Sequence, residues 1–263
     1  MCRHLAVWSR LPVATSEFVL EAENNLRKQA CGDHRNEAHG DGWGIGYYES
    51  WRSQPTVIKS PGDARSDPAF EAAARSVVAA KFIAHVRQAS VGQNTVENCH
   101  PFSYGPWLFA HNGTVTNFET IGVAMESDIQ QNGADLLDLR HGTTDSELVF
   151  LWILNRLRMF GASIDESADL PTVLEKVLSD TLLRLDRLTR QHPPNEMTKF
   201  NFLLSDGRHL AATRWGHDLH WCEAPDRIVV ASEPIGQAAW QELPEHSILT
   251  IDADLRPRIN LVS

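Results

Sequence analysis

The sequence predicts an α+β or layered α/β domain, and three observations lead there. Strand-like apolar runs occupy both ends of the chain, CRHLAVW at 2–8 and KFNFLLSDGRHLAATRW at 199–215 among them. Two segments with helical spacing of leucines lie between them, at 143–160 and 171–188. Strands, then helices, then strands again describe layers of both kinds around one core. With 263 residues and no internal repeat, low-complexity tract or linker, the chain reads as a single domain over 1–263. The stretch 161–170 is the one soft boundary.

Taken in order, CRHLAVW is a short buried strand and a helix is expected over about 15–29. AHGDGWGIGYYES then places Gly40, Gly42, Gly44 and Gly46 at alternate positions. Period two implies an extended strand with one bare face, against which another segment packs closely. The spacing is not G-x-G-x-x-G and no βαβ unit surrounds it, which excludes a dinucleotide fingerprint. TVIKS at 56–60 is a strand, DPAFEAAARSVVAA at 67–80 a helix and KFIAHVR at 81–87 a strand. The polar, turn-rich stretch 88–105 is where function is expected. WLFAHNG at 107–113 resumes a buried strand, and a helix follows over about 117–130 before the two long ones. Past Pro194, the run 199–215 is a hairpin turning at Asp206-Gly207, and DLHWCEA, DRIVVASEP and HSILTIDADL are further strands.

Hydrophobic residues make up 42% and charged residues 22%, the balance of an ordinary folded chain. A net charge of −10 argues against nucleic acid or an anionic membrane surface as the main partner, since both repel an acidic protein. The apolar run LVFLWIL at 148–154 falls well short of the roughly 20 residues that span a bilayer. The first residues show no basic stretch followed by an apolar core, so no secretory signal is expected and the expected location is cytoplasmic. Cys2, Cys31, Cys99 and Cys222 form no C-x-x-C pair, which argues against a disulfide framework and a structural zinc site. The histidines are scattered without H-E-x-x-H, so no metal or cofactor is expected.

A cysteine directly behind the initiator methionine has two readings. It is a small apolar residue opening a buried strand. Alternatively Met1 is removed, and Cys2 carries a thiol and a free α-amine on one carbon. A thiol of pKa ~8.5 needs a base, and an α-amine of pKa ~7.7–8.0 lies close to it. The amine then receives the thiol proton without a histidine–carboxylate pair. Such chemistry also needs an oxyanion hole and groups that hold the substrate.

Three further segments offer those groups, each with a plainer explanation beside it. Arg87 in HVRQAS ends an apolar strand, where a guanidinium grips a carboxylate with two parallel bonds or sits in a surface ion pair. Asn112 and Gly113 in AHNGT supply a side-chain amide and an approachable backbone N–H, or simply a hairpin turn. In TTDSE, Thr144 and Glu147 form a capping box. Asp145 in that first turn either complements the helix dipole or pairs with a substrate ammonium.

In this order, Cys2, the Gly-Asp-Gly-Trp-Gly run, His85-Val-Arg87-x-x-Ser90, His100-Pro101, His111-Asn112-Gly113 and Thr144-Asp145-Ser146-Glu147 resemble the class II glutamine amidotransferases. The opening Met-Cys-Arg-His-Leu and the late Phe-Leu-Leu-x-Asp-Gly and Ala-Ser-Glu-Pro stretches are similar to its small stand-alone members, which include the γ-glutamyl hydrolases of ergothioneine biosynthesis. The resemblance covers nearly the whole chain. It implies a four-layer αββα sandwich of the N-terminal-nucleophile hydrolase type. It also implies Cys2 as nucleophile, Asn112 and Gly113 as oxyanion donors, Arg87 on the substrate α-carboxylate and Asp145 on the α-ammonium, with Ser90 beside the carboxylate. His85, His100 and His111 are then scaffold rather than proton carriers. Gln88 departs from the pattern, since better-known members place an aromatic residue after the arginine. Those members also carry a domain that consumes ammonia, for which 263 residues leave no room; the expected acceptor is water or a separate partner protein. The expected substrate is a small molecule, glutamine or another γ-glutamyl amide. A hydrolase specific for a substituted amide, a sensor that binds a glutamyl ligand without turnover, and a metal hydrolase built on the three histidines are the alternatives.

Overall fold

The computed structural model describes residues 2–161, 170–191 and 198–262, so the soft boundary at 161–170 lies, but for its end residues, outside the described residues. Its strands are β1 (Arg3–Ala14), β2 (Trp43–Tyr47), β3 (Thr56–Ser60), β4 (Val78–Val86), β5 (Phe102–Tyr104), β6 (Trp107–Thr114), β7 (Lys199–Ser205), β8 (Leu210–Arg214), β9 (His220–Ala224), β10 (Arg227–Ala231), β11 (Gln241–Glu242), β12 (Ser247–Ile251) and β13 (Pro257–Leu261). The α-helices are α1 (Leu26–Cys31), α2 (Pro68–Ser76), α3 (Phe118–Asn132), α4 (Asp145–Met159) and α5 (Leu170–Gln191). One sheet runs β11-β9-β10-β1-β4-β2-β3 and the other β13-β12-β8-β7-β6-β5. Neighbouring strands pair antiparallel in both, as β1 does with β4 and β6 with β7.

Strand alternation sorts the side chains into four layers. On β1, Leu5 and Val7 point outward to α1 and α2, where Leu26, Phe70 and Ala74 cover them. Ala6 and Trp8 point inward and meet Leu108, Ala110, Leu203 and Ala212 of the second sheet. On that sheet Phe109, Phe200, Phe202 and Leu204 face α3, α4 and α5. The order helix, sheet, sheet, helix is therefore an αββα sandwich. α4 is buried along its whole length from Asp145 to Leu157, and its Phe150 stacks on Phe109 with ring centroids 5.2 Å apart. Among the described residues no helix is long and apolar enough to cross a membrane.

The alternating glycines behave as their spacing requires, over half the expected length. β2 begins at Trp43, so Gly40 and Gly42 precede it. A Cβ on Gly44 would collide with the carbonyl oxygen of His100 and come within 2.9 Å of the Lys59 Cβ. One on Gly46 would lie 2.7 Å from the Pro101 ring and 2.8 Å from Leu108. The bare face of β2 thus admits the 100–101 backbone between the sheets.

Three expectations need correction. The helix placed over 15–29 is broken into a π-helical turn at Glu17–Glu21 and α1. Asn24 adopts a left-handed φ of 51°, and the Asn25 side chain accepts from the Lys28 N–H at 3.0 Å, which ends one segment and caps the next. The helix at 67–80 stops at Ser76, because Val77 and the alanines beyond it extend β4 back to Val78, opposite Ala14 of β1. The polar stretch 88–105 hides β5, and β13 closes the second sheet beyond HSILTIDADL.

Replacing Gly44 by alanine should destabilise the protein by about 3 kcal/mol, because its Cβ meets rigid backbone rather than a flexible side chain. The midpoint of denaturant unfolding measures it, and an unchanged midpoint would mean the sheets do not approach here as described.

Candidate active site

Cys2 stands where β1 begins, opposite the residue that follows β4. The register pairs Arg3 with Val86 and His4 with His85, so Cys2 meets the 87–88 segment. Its thiol lies 3.4 Å from the Gln88 N–H and 3.4 Å from the Gln88 carbonyl oxygen, accepting from the first and donating to the second. Burial pushes the thiol above its ordinary pKa, and Asp145 adds to that rise, while the Gln88 amide and the Arg87 charge oppose it. The resting sulfur is a neutral thiol, which makes a nearby base a chemical requirement.

Arg87 is buried, and its backbone is stitched to Asp41 and Gly42. Its guanidinium donates to the carbonyls of Val91 at 2.9 Å, Gln93 at 3.2 Å and, more loosely, Gly92 and Asp41 at 3.4 Å. Among the described residues it has no ion-pair partner. It holds the 91–93 turn against the end of β4. Ser90 in that turn shares a hydrogen bond of 2.7 Å with Thr114 at the end of β6.

Asn112 and Gly113 do not form a turn. They lie inside β6, paired with Asn201 and Phe200 of β7. Tertiary pairing overrides the local Asn-Gly preference, since both neighbours continue into a long buried ladder. Asn112 donates one amide hydrogen to the Ser232 hydroxyl at 3.4 Å. Gly113 leaves no room for a side chain: a Cβ would strike the Lys199 carbonyl and lie 2.5 Å from His111 Nε2.

Asp145 opens α4. Thr144 is the cap, its hydroxyl accepting from the Glu147 N–H at 3.2 Å. The capping box is only half made, because the Glu147 carboxylate accepts instead from the His141 and Gly142 amides at 3.1 and 2.6 Å. The Asp145 carboxylate accepts from the Val115 amide at 2.7 Å and the Ser146 amide at 2.8 Å, and sits 3.2 Å from the Ser146 hydroxyl. It therefore ties the helix start to the strand that carries Asn112 and Gly113. Cys2, Arg87, Ser90, Gly113 and Asp145 line one narrow pocket, and Asn112 lies beside it on the same strand.

The histidines are built into the walls. His111 donates from Nε2 to the Lys199 carbonyl at 3.0 Å, and its Nδ1 is 3.0 Å from the Ser146 hydroxyl. His85 donates from Nε2 to the His111 carbonyl at 3.2 Å and stacks on His100 at 4.2 Å. Burial holds the His85 pKa down to about 3, and His100 also well below the usual imidazole range. These rings are neutral near pH 7.

Arg3 and Glu233, from two stretches noted for their resemblance, join Asp33 in a cluster of buried charge behind Cys2. Arg3 donates from Nη1 to the Cys2 carbonyl at 2.8 Å and from Nε to Glu233 at 2.9 Å, and also bonds Asp33. His34 Nδ1 lies 2.9 Å from the same Glu233 oxygen. Ligand atoms of Asp33, His34 and Glu233 come within 4.8 Å of one another, a metal-like spacing, but the Arg3 guanidinium already occupies the two carboxylates. Spacing alone offered no signal for Asp33, which lies 30 residues from its partner.

A cysteine at the second position, set in a cleft between two antiparallel sheets with helices outside both, matches the plan of the N-terminal-nucleophile amidohydrolases. The family model described as "Glutamine amidotransferases class-II" matches residues 1–233. The chain belongs to that family. It is 30% identical over 258 residues to the gamma-glutamyl-hercynylcysteine sulfoxide hydrolase of Mycobacterium tuberculosis, covering 95% of this chain and 93% of the relative. It is 27% identical to the probable glutamine amidotransferase DUG3 of Saccharomyces cerevisiae, covering 95% and 82%. Among solved structures, a glutamine aminotransferase class-II domain protein from Silicibacter pomeroyi matches with TM-score 0.69 and 25% identity over 100% of both chains. The glutamine phosphoribosylpyrophosphate amidotransferase of B. subtilis shares the fold, with TM-score 0.66 at 18% identity over 100% of this chain and 49% of that one.

Because the Asp145 charge raises the Cys2 thiol pKa, Asp145→Asn should lower it. The pH profile of Cys2 alkylation by iodoacetamide, followed by peptide mass mapping, should move to lower pH in the variant. A profile that stays put would separate the carboxylate from the thiol.

Proposed function

We propose that the protein hydrolyses a γ-glutamyl amide through a thioester on Cys2. The observation that carries this is the gathering of the Cys2 thiol, the Gly113 backbone and the Asp145 carboxylate in one pocket. After removal of Met1, the Cys2 α-amine takes the thiol proton as Sγ attacks the γ-carbonyl carbon. The second amide hydrogen of Asn112 and the Gly113 N–H receive the oxyanion. As the tetrahedral centre collapses, the Cys2 ammonium returns the proton to the leaving nitrogen, and ammonia or an amine departs. Water, deprotonated by the same amine, then attacks the thioester; glutamate leaves and the thiol is restored.

The glutamyl head group is read from both ends. An ionised carboxylate is a stronger acceptor than a peptide carbonyl. The substrate α-carboxylate therefore exchanges with the Val91 and Gln93 carbonyls on Arg87, with the Ser90 hydroxyl alongside. The three donors on Asp145 leave part of its acceptor capacity for the α-ammonium. The base is the amine, because burial keeps the thiol protonated and also holds the His85 and His100 pKa values so low that these rings are poor proton acceptors. Glutamine itself is the first substrate class, its ammonia passing to water or to a partner protein. The near full-length similarity to gamma-glutamyl-hercynylcysteine sulfoxide hydrolases favours a second, an amide whose nitrogen carries a larger substituent.

Intact mass of active protein should lack Met1, and Cys2→Ala should abolish turnover. Asn112→Ala should lower kcat by roughly 100- to 1,000-fold. Ammonia release from glutamine, measured beside amine release from a panel of γ-glutamyl amides, assigns the substrate. Fully active protein that retains Met1 would exclude the amine as base, and binding of every amide without turnover would make the protein a sensor.

A further inference from the structure

Arg3 in the opening Met-Cys-Arg-His-Leu and Glu233 in the late Ala-Ser-Glu-Pro have no part in the chemistry above, yet the fold brings them together. Arg3 points to the opposite face of β1 from His4 and is buried there with Asp33 and Glu233. A buried guanidinium between two carboxylates is a poor way to gain stability, since desolvating three charges offsets their attraction. It is a good way to fix a direction, because guanidinium geometry is rigid and its donors are planar.

Each guanidinium nitrogen makes a bond. Nε goes to Glu233, Nη2 to Asp33, and Nη1 to the Cys2 carbonyl at 2.8 Å. The carboxylates are themselves anchored. Asp33 accepts from the Arg35 and Glu37 amides at 2.8 and 2.9 Å, and Glu233 from the His34 amide at 3.2 Å and Asn24 at 3.1 Å. The residue before Glu233 reaches the other half of the pocket. The Ser232 hydroxyl accepts from the His4 amide at 3.1 Å and from the Asn112 side chain at 3.4 Å. Ser232 and Glu233, adjacent at the end of β10, thus hold the oxyanion donor with one side chain and the nucleophile's clamp with the other.

We propose that Arg3 is a positioning residue, clamped by Asp33 and Glu233, that fixes the Cys2 peptide and so aims the thiol and the α-amine toward Asn112. The proposal rests on the reading of Cys2 as nucleophile. Rotation about the Cα–C bond of a terminal residue is otherwise restrained by the chain that follows and by two long, 3.4 Å contacts of the thiol with the Gln88 backbone, which leave it some freedom. The bond to the Cys2 carbonyl removes that freedom without placing any charge in the pocket itself.

The test compares the full-length wild-type protein with Arg3→Met, Arg3→Lys and Glu233→Gln. Arg3→Met should lower kcat by about 100-fold while KM stays within about threefold, the cost of misaiming a bound reactant pair. Arg3→Lys should recover part of that loss, and Glu233→Gln should fall between the two. Iodoacetamide mapping supplies a readout that does not need turnover. In Arg3→Met, Cys2 should alkylate several-fold faster, while buried Cys99 and Cys222 keep their wild-type rates and exposed Cys31 serves as reference. Unchanged Cys2 alkylation, or a rise shared by Cys99 and Cys222, would overturn the proposal, the latter marking general loosening. Were the wild type to turn over no γ-glutamyl amide, the functional reading would fail, and the cysteine map would still decide the role of Arg3.

Discussion

Pairing between β1 and β4 decides where everything else must be. With Arg3 opposite Val86, Cys2 can only lie against the segment 87–88. A shift by one residue would exchange the faces of β1, turning Leu5 and Val7 into the inter-sheet space and Ala6 and Trp8 toward the helices. Neither core would accept that exchange, because Trp8 fills a space between the sheets that Leu5 cannot. The position of the thiol is therefore secured by apolar burial well away from the pocket. Side-chain chemistry at the terminus adjusts an aim that the sheet has already taken.

The inter-sheet space changes character along its length. Deep inside it is apolar, with Trp8, Ile83, Leu108 and Leu203 in contact. One strand pair nearer the terminus, His4, His85 and His100 replace aliphatic residues, and then Cys2 and the Arg87 side chain form the floor and wall of the pocket. Depressed imidazole pKa values keep this layer uncharged, so the transition from core to site is graded rather than abrupt. Gly44 belongs to the same zone, since only a strand without side chains lets the His100 backbone enter it.

Much of this was legible in the sequence, for identifiable reasons. Alternating glycines announced a close approach, and the leucine-spaced segments announced α4 and α5, because both signals are local and periodic. The capping threonine at the start of α4 was equally local. Asn112-Gly113 shows the opposite case. Its dipeptide preference points to a turn, yet pairing with Asn201 and Phe200, far along the chain, keeps it extended. Arg3, Asp33 and Glu233 show it more strongly. Nothing in their spacing links residues 3, 33 and 233, and only folding reveals that they share one guanidinium. The broken helix after β1 lies between, since Asn24 and Asn25 are visible as breakers but the π-helical turn before them is not.

The enclosure of α4 from Asp145 to Leu157 bears on how such a protein diversifies. Its first residue, Asp145, faces the pocket, every following residue to Leu157 is buried, and its apolar side chains share one core with α3, α5 and the second sheet. A change in that carboxylate's position would have to be carried through the densest part of the molecule. The 88–93 turn is held by polar contacts rather than by a core: Arg87, the Ser90–Thr114 hydroxyl pair, the Asp41 carboxylate on the Ala89 amide and the Asn98 side chain on the Gln93 carbonyl hold it, while Ala89, Ser90, Gly92 and Gln93 are exposed. Mutational drift can therefore reshape one rim of the cleft cheaply while the opposite rim stays frozen, so new ligands would be expected to vary at one end and keep the other.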